Sequence, residues 1–100
     1  MNLEQLMSFR AVAVEVGFSR AAQSLYLTQS TISMQVGALE KELGVRLFER
    51  LGRKVVLTHA GKEFQVYATR ILALVEESSR TMAAFRGLQA GELVVGASFT

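Results

Sequence analysis

Two short helical patterns separated by a polar break constrain the fold of this chain more than any other feature of its sequence. The first pattern spans residues 19–25, and Ser19 stands where a hydroxyl can accept from the exposed N–H groups of a helix's first turn. Ala22 supplies the small side chain that is needed where two helices cross closely. Tyr26 occupies the break, where many helix-turn-helix motifs carry glycine. Because tyrosine adopts positive φ with difficulty, we expect a longer or differently shaped turn.

The second pattern begins after Thr28, a predicted N-cap residue, and has two contrasting faces. Apolar residues recur at helical spacing and predict one buried stripe: Ile32, Val36, Leu39 and Leu43. The opposite face is polar and nearly uncharged: Gln29, Ser30, Ser33, Met34 and Gly37. Such a face suits the base edges in a groove of duplex DNA, where glutamine can pair with adenine through two hydrogen bonds. In the alternative interpretation, Gln29 is merely solvated and Ser33 bonds back to a helix carbonyl.

A basic turn follows the second pattern. Gly44 is suited to a left-handed helix cap, and Gly52 between two short apolar runs predicts a β-hairpin. Four cations accompany the single acid Glu49 in this region: Arg46, Arg50, Arg53 and Lys54. Residues 1–58 hold seven bases and five acids, whereas residues 59–100 hold four of each, so the formal charge of +2 lies in the first part. Such charge can neutralise phosphates, and an arginine of the hairpin can enter a narrow minor groove.

The fold class expected from these elements is mainly α. Residues 1–58 are predicted to form a winged helix-turn-helix, which consists of three helices and a small β-hairpin wing. Asn2 and Gln5 form a candidate capping box at the start of the first helix, and Gly17 is expected to end that helix. The first helix would then support the two helices of the motif.

Residues 59–88 contain no proline and predict one long dimerisation or linker helix. Its seam residues recur with alternating steps of four and three: Phe64, Ala68, Ile71, Val75, Ser78, Met82 and Phe85. A helix of about thirty residues is roughly 45 Å long, which exceeds what the core of one small domain can cover. The seam therefore faces either the core of a larger protein or a dimer partner. A dimer would match its twofold symmetry to two DNA half-sites.

The sequence resembles the N-terminal DNA-binding region of LysR-type transcriptional regulators. The resemblance runs from near Leu3 to the end of the chain, and it rests on residues at fixed spacing: Ala21, Ala22, Leu25, Thr28, Gln29, Ser30, Ser33, Gln35, Leu39, Glu40, Leu43, Gly44, Leu47, Phe48, Arg50, Arg53, Leu57, Thr58, Ala60 and Gly61. It implies that the helix after Thr28 enters the major groove through Gln29, Ser30, Thr31 and Ser33. It also implies that Arg50 and Arg53, beside Lys54, lie at the DNA backbone or in the minor groove.

Two positions depart from the pattern of the resembled family. Ser30 stands where many members have proline, and this change is mild because serine is well tolerated in the first turn of a helix. Met34 stands where arginine or another polar residue is common. We therefore expect Met34 to contact a thymine methyl group in place of a guanine or a phosphate.

The resemblance also implies the partners. They are double-stranded DNA and a second copy of the chain, joined by antiparallel pairing of the linker helices, with a tetramer of the full-length protein left open. Residues 89–100, which include a strand-like run at 91–96, would begin an effector-binding domain. The 100 residues are therefore expected to be a piece of a longer regulator, whose small-molecule effector binds the missing C-terminal domain.

Composition argues against several other classes. The sequence has no cysteine, no aspartate and only one histidine, His59, so we expect no enzyme, no metal site and no cofactor. The carboxylate pairs Glu40/Glu42 and Glu76/Glu77 are expected on solvated helix faces. No apolar run is long enough to span a membrane, and a cytoplasmic protein is expected. The remaining alternative is a helical protein-interaction or dimerisation module without specific DNA binding, and it would be expected to carry further apolar anchors beside Met34.

Overall fold

The computed structural model describes the backbone of residues 1–95 and the side chains of residues 1–87. In this described part, three helices precede a two-stranded antiparallel hairpin and a long helix follows it. The elements are α1 (Leu3–Glu15), α2 (Phe18–Leu25), α3 (Gln29–Leu43), β1 (Phe48–Leu51), β2 (Lys54–Leu57) and α4 (His59–Val95). The predicted winged helix-turn-helix with a long helix after the wing is confirmed.

Helix α1 starts as the sequence predicts and ends differently. The amide of Gln5 donates to Asn2 Oδ1 over 2.8 Å, and the amide of Asn2 donates to Gln5 Oε1 over 3.2 Å, which completes the capping box. The helix ends at Val16, whose φ is 58°, whereas Gly17 has extended backbone and precedes α2. Helix α1 thus ends before Phe18 as predicted, but its left-handed cap is Val16 rather than Gly17. A β-branched residue in the left-handed region costs of order 1–3 kcal/mol, so the surrounding fold must hold Val16 there.

The turn between α2 and α3 contradicts the expectation for Tyr26. Tyrosine adopts the left-handed conformation here, with φ of 57°, and so takes the place of the glycine that was thought necessary. The amides of Tyr26 and Leu27 donate to the carbonyls of Gln23 and Ala22, over 3.3 and 2.9 Å. The side chain of Tyr26 is 95% exposed. These backbone hydrogen bonds offset the strain at Tyr26, and its exposed ring meets no neighbour. The turn between α2 and α3 is therefore short.

The core lies where the helices of the motif meet the wing and the start of α4. Phe9 of α1 is central, since its ring centroid is 5.2 Å from that of Phe48 in β1 and 5.1 Å from that of Phe64 in α4. Phe18 of α2 adds a fourth ring, 6.1 Å from Phe48. These rings connect α1, α2 and α4 to the wing, so the wing is part of the same packed unit.

Helix α4 begins in close contact with the wing. Thr58 Oγ1 accepts from the amide of Gly61 over 3.0 Å and donates to the carbonyl of Arg46 over 2.6 Å. A Cβ atom at Gly61 would lie 2.1 Å from the carbonyl oxygen of Leu47. Glycine is therefore required at this position for the helix to approach β1. No helix in the described part of the chain is long and apolar enough to cross a membrane.

The far end of α4 differs from the prediction. The helix continues to Val95, past residue 88 and through most of the run at 91–96 that reads as a strand. Both the predicted end of the helix and the strand up to Val95 are therefore wrong, while residues 96–100 lie outside the described residues. Gly87 does not break the helix, because one interior glycine costs only about 1 kcal/mol. A helix satisfies its own backbone hydrogen bonds, which a strand without a partner cannot do.

The seam of α4 divides between two environments. Ala68 is 1% exposed within the core of the domain, and Phe64 and Ile71 pack against that core. The prediction of Ala68 as a dimer-interface residue is therefore wrong, and Phe64 and Ile71 contribute first to the fold of their own domain. The sequence pattern was misleading because α4 rests on α1, and a heptad seam looks the same whichever surface it meets. Met82 and Phe85 farther along are 59% and 58% exposed.

Candidate nucleic-acid interface

The start of α3 is organised by hydroxyl groups. Thr28 Oγ1 accepts from the amide of Thr31 over 3.1 Å, which confirms Thr28 as the N-cap residue. The hydroxyls of Thr28 and Thr31 also lie within hydrogen-bond distance, at 2.8 Å. These two predicted DNA-contacting residues are therefore engaged with each other and fix the first turn. The backbone amides at the N-terminus of a helix favour an anion such as phosphate.

The rest of α3 separates an apolar face from an exposed polar one. Ile32, Val36 and Leu39 of the predicted stripe are buried, and Leu43 at its end is half-buried against the core. The residues predicted to face a groove are exposed along the opposite side: Gln29, Ser30, Ser33, Met34 and Gly37. Met34 is 66% exposed and is the large apolar side chain on this face. The helix therefore presents mostly hydrogen-bonding groups to whatever it meets.

A buried hydrogen bond sets the position of α3 against α1. Ser8 is completely buried in α1, and its hydroxyl donates to Gln35 Oε1 of α3. A buried polar group that loses its partner costs about 1–3 kcal/mol, so this pair favours one rotation of α3 over its alternatives. Gln35 therefore orients the exposed face without belonging to it. The sequence offered no signal for this pairing, because serine on the buried side of α1 reads as a small core residue.

An open cleft of about 520 Å³ lies between the starts of α2 and α3 and the wing. Its polar and charged lining residues are Glu15, Ser19, Arg20, Gln29, Arg50, Arg53 and Lys54. The cleft thus brings Gln29 together with the three wing cations predicted to contact DNA. Ser30, Ser33 and Met34 lie on the same helix but outside the lining of this cleft.

The cleft also contains two residues that sequence reasoning did not assign to the site. Arg20 adds a cation from α2 to the cleft. Its position as a basic residue near the start of a helix could have indicated this role from the sequence. Ser19 was predicted to cap α2, but the helix begins at Phe18 with Gly17 as an N-cap that makes no side-chain hydrogen bond. That prediction is wrong. The hydroxyl of Ser19 donates instead to Gln29 Oε1 over 2.8 Å, which links the two helices of the motif.

The charge of the cleft is predominantly positive. Four cations line it against the single acid Glu15: Arg20, Arg50, Arg53 and Lys54. Within the described part of the chain, none of the four takes part in an ion pair. Arg46 differs from them, because its Nε lies 3.7 Å from Glu40 Oε2. The four cleft cations are therefore available to an anionic partner, whereas Arg46 belongs to the framework of the wing.

Glu40 of α3 holds the start of the wing. Its Oε2 accepts from the amide of Leu47 over 2.7 Å and from that of Phe48 over 3.3 Å. The side chain is 17% exposed, so the prediction of a solvated Glu40 is wrong. A carboxylate that accepts backbone N–H groups at the beginning of β1 fixes the distance between the helix and the wing. The hairpin itself then pairs Phe48 with Leu57 and Leu51 with Lys54.

The part of the chain that the structure describes contains no arrangement of side chains typical of a metal site. That part contains no group of three or more histidine, cysteine, aspartate or glutamate side chains that could hold a metal ion. His59 is exposed at the start of α4. The chemistry that the cleft and the exposed face offer is hydrogen bonding and charge, which suits recognition of a polyanion.

Comparison with known proteins identifies the family. Residues 3–62 match the model of the bacterial regulatory helix-turn-helix proteins of the lysR family. The chain belongs to this family. It is similar to the probable RuBisCO transcriptional regulator of Cyanidioschyzon merolae, with 50% identity over 99% of this chain and 33% of that protein. A protein of the same description from Nostoc sp. is 47% identical over 99% of this chain and 29% of its own length. The chain thus spans about a third of the length of these curated relatives.

Solved structures extend the comparison. The DNA-binding domain of BenM in complex with the catB site 1 DNA matches with a TM-score of 0.83 and 36% identity, covering 86% of this chain and 97% of that one. The DNA-binding domain of CbnR in complex with DNA matches with a TM-score of 0.77 and 44% identity, covering 84% and 98%. Full-length BenM carrying the R156H substitution matches with a TM-score of 0.79 and 37% identity, covering 84% of this chain and 28% of that one. The lysR-family fold therefore extends beyond the matched residues into α4.

Proposed function

We propose that this chain is the DNA-binding module of a dimeric LysR-type transcriptional regulator that recognises a specific sequence of double-stranded DNA. The observation that carries the proposal is the cleft, in which the first residue of the exposed α3 face lies beside the wing cations Arg50, Arg53 and Lys54. Helix α3 therefore offers hydrogen-bonding groups, and the wing beside it offers cations that take part in no ion pair within the described residues. Double-stranded DNA supplies partners for both, since base edges in the major groove lie beside the phosphate backbone.

The proposed contacts fall into two groups. Gln29, Ser30, Ser33 and Met34 meet base edges in the major groove, because they form the exposed face of α3. Arg50, Arg53 and Lys54 meet the phosphates or the minor groove, and Arg20 adds a contact from α2. Thr28 and Thr31 stand at the N-terminus of α3, where the Thr31 amide is capped by Thr28 and the helix end favours a phosphate. The similar BenM and CbnR domains were solved in complex with DNA, which supports DNA binding by a domain of this fold.

We further propose a homodimer through the exposed half of α4. Three apolar residues in this half are exposed within the described part of the chain, Leu74, Met82 and Phe85, and Val75 is half-buried. Ser78 lies between them with its hydroxyl bonded to the carbonyl of Val75 over 2.8 Å, so it brings no unsatisfied group into an interface. Twofold pairing would place two α3 helices over two half-sites.

The domain organisation follows from the same reasoning. Residues 1–58 form the DNA-binding unit, α4 links it to a partner, and the longer protein adds an effector-binding domain and a higher assembly such as a tetramer. The protein acts in the cytoplasm by binding rather than by catalysis. Because its curated relatives are named RuBisCO transcriptional regulators, DNA upstream of RuBisCO genes is the natural first duplex to test.

A salt titration of duplex binding tests the proposal. Affinity should fall linearly with salt on logarithmic axes, with a slope of roughly −0.9 for each phosphate neutralised. Arg53→Ala should reduce the magnitude of that slope by about one, whereas Lys62→Ala, on α4 and outside the cleft, should leave it unchanged. Absence of binding at low salt would favour the protein-interaction module instead. Equal slopes for the wild type and Arg53→Ala would remove the wing from the interface.

A further inference from the structure

The hydrogen bond between Ser19 and Gln29 joins the two helices of the motif at the point where they meet DNA in the proposed function. Ser19 lies in the first turn of α2 and Gln29 is the first residue of α3. The hydroxyl donates to Gln29 Oε1 over 2.8 Å, and both residues line the basic cleft. Ser19 makes no capping bond for its own helix, since α2 has Gly17 as its N-cap. Its polar group is therefore committed to the glutamine.

The carboxamide of glutamine has two unlike ends, and orientation decides what it can recognise. Its oxygen only accepts hydrogen bonds, whereas its nitrogen carries two donors. Adenine offers a donor and an acceptor in the major groove, so a bidentate pair with adenine uses both ends of the amide. Guanine offers two acceptors and thymine one, so these bases need a donor from the protein. A glutamine free to turn can meet either kind of edge.

The backbone at Gln29 is fixed, and the orientation of its exposed side-chain amide depends on the bond to Ser19. Thr28 caps α3 and fixes the backbone from which the Gln29 side chain projects. The bond to the Ser19 hydroxyl holds Oε1 toward α2, although that oxygen keeps a second lone pair, and the nitrogen on the other side of the same carbon faces away from Ser19. Fixing a side chain before binding lowers the entropy lost when the complex forms. The bond therefore affects both which base is preferred and how strongly.

We propose that Ser19 is a positioning residue for base readout, which holds the Gln29 amide with its nitrogen available so that Gln29 prefers an acceptor edge, guanine or thymine, over adenine. The inference rests on the proposed DNA binding and adds the chemistry of one base position to it. Ser19 acts through Gln29 and need not contact the base. A serine that only touched a phosphate would influence every duplex equally, because phosphates carry no sequence information.

Selection of bound duplexes from a randomised double-stranded DNA library, followed by sequencing, tests the inference. The wild-type chain is compared with Ser19→Ala, Ser19→Thr and Gln29→Ala. Gln29→Ala identifies the base pair that Gln29 reads, as the position whose preference of roughly five-fold or more disappears. Ser19→Ala should weaken guanine or thymine at that same position and raise adenine, because Oε1 becomes available. Ser19→Thr keeps the hydroxyl and should restore the wild-type preference.

Two further variants separate a positioning role from a general effect. Ser24→Ala makes the same chemical change on α2, where the hydroxyl donates to the carbonyl of Ala21 outside the cleft, and should leave every base preference unchanged. The double variant Ser19→Ala/Gln29→Ala should select the same sequences as Gln29→Ala alone.

The outcomes distinguish this inference from the proposed function. A wild-type chain that enriches no sequence would overturn the proposed function and this inference with it. A Ser19→Ala selection identical to that of the wild type would overturn the inference alone. So would a uniform loss of affinity without a change of sequence preference, or a change at a base pair that Gln29→Ala does not affect.

Discussion

Removal of the Glu40 carboxylate should destabilise the domain through the start of the wing. In Glu40→Ala the amides of Leu47 and Phe48, both in buried residues, lose the acceptor that lies 2.7 and 3.3 Å away. A buried N–H group without a partner costs about 1–3 kcal/mol, and the longer bond counts for less, so the expected loss is about 2–4 kcal/mol. For a domain of this size each kcal/mol lowers Tm by about 4–8 °C, which gives a fall of about 8–32 °C.

Thermal unfolding followed by circular dichroism measures this effect, with two matched variants beside it. Glu40→Gln keeps an acceptor oxygen but loses the charge, and it should cost about 1 kcal/mol, since hydrogen bonds to charged groups contribute more than neutral ones. Glu76→Gln makes the same change on an exposed part of α4 and should have no effect. A Glu40→Ala protein whose Tm lies within about 3 °C of the wild type would refute the reasoning, because two unsatisfied amides require a larger loss.

Three other substitutions test the long helix. Gly61→Ala should lower stability by several kcal/mol or displace α4, because its Cβ would lie 2.1 Å from the carbonyl oxygen of Leu47. Gly87→Ala has open space around the new Cβ and should raise stability by up to about 1 kcal/mol. Equal melting temperatures of the two variants would contradict the close approach of α4 at Gly61. Met82→Glu should shift sedimentation toward the monomer without lowering the stability of the DNA-binding domain, since Met82 is exposed. An unchanged dimer mass would place the interface elsewhere.

Local patterns in the sequence were sufficient for most of the elements. The apolar stripe through Ile32, Val36 and Leu39 is buried, Thr28 caps α3, and Gly52 turns the hairpin with a φ of 66°. Each of these features depends on residues close together in the chain, where spacing and side-chain chemistry act directly. The exposed face of α3 could therefore be found without a structure.

The features that sequence reasoning missed depend on residues distant in the chain. Glu40 reads as a surface residue until β1 brings its amides to the carboxylate. Ser19 reads as a cap until α3 brings Gln29 within reach. The division of the α4 seam has the same origin, since Ala68 is buried in the core that distant parts of its own domain form. Tyr26 is an exception, because the hydrogen bonds that close its left-handed turn run to the nearby residues Gln23 and Ala22.

Because α4 is attached rigidly beside the wing, any tilt of this helix moves the DNA-binding domain with it. Thr58 bonds to the carbonyl of Arg46, and Ala68 is fixed in the core, so no hinge separates the two. From Ala68 to the exposed Phe85 the helix extends about 25 Å. A tilt of about ten degrees over that length displaces one end by about 4 Å, more than the 3.4 Å or so between successive base pairs. A small change in the crossing angle of two such helices in the proposed dimer would therefore move the two α3 helices relative to each other by about one base-pair step. The dimer would then fit a different spacing between DNA half-sites.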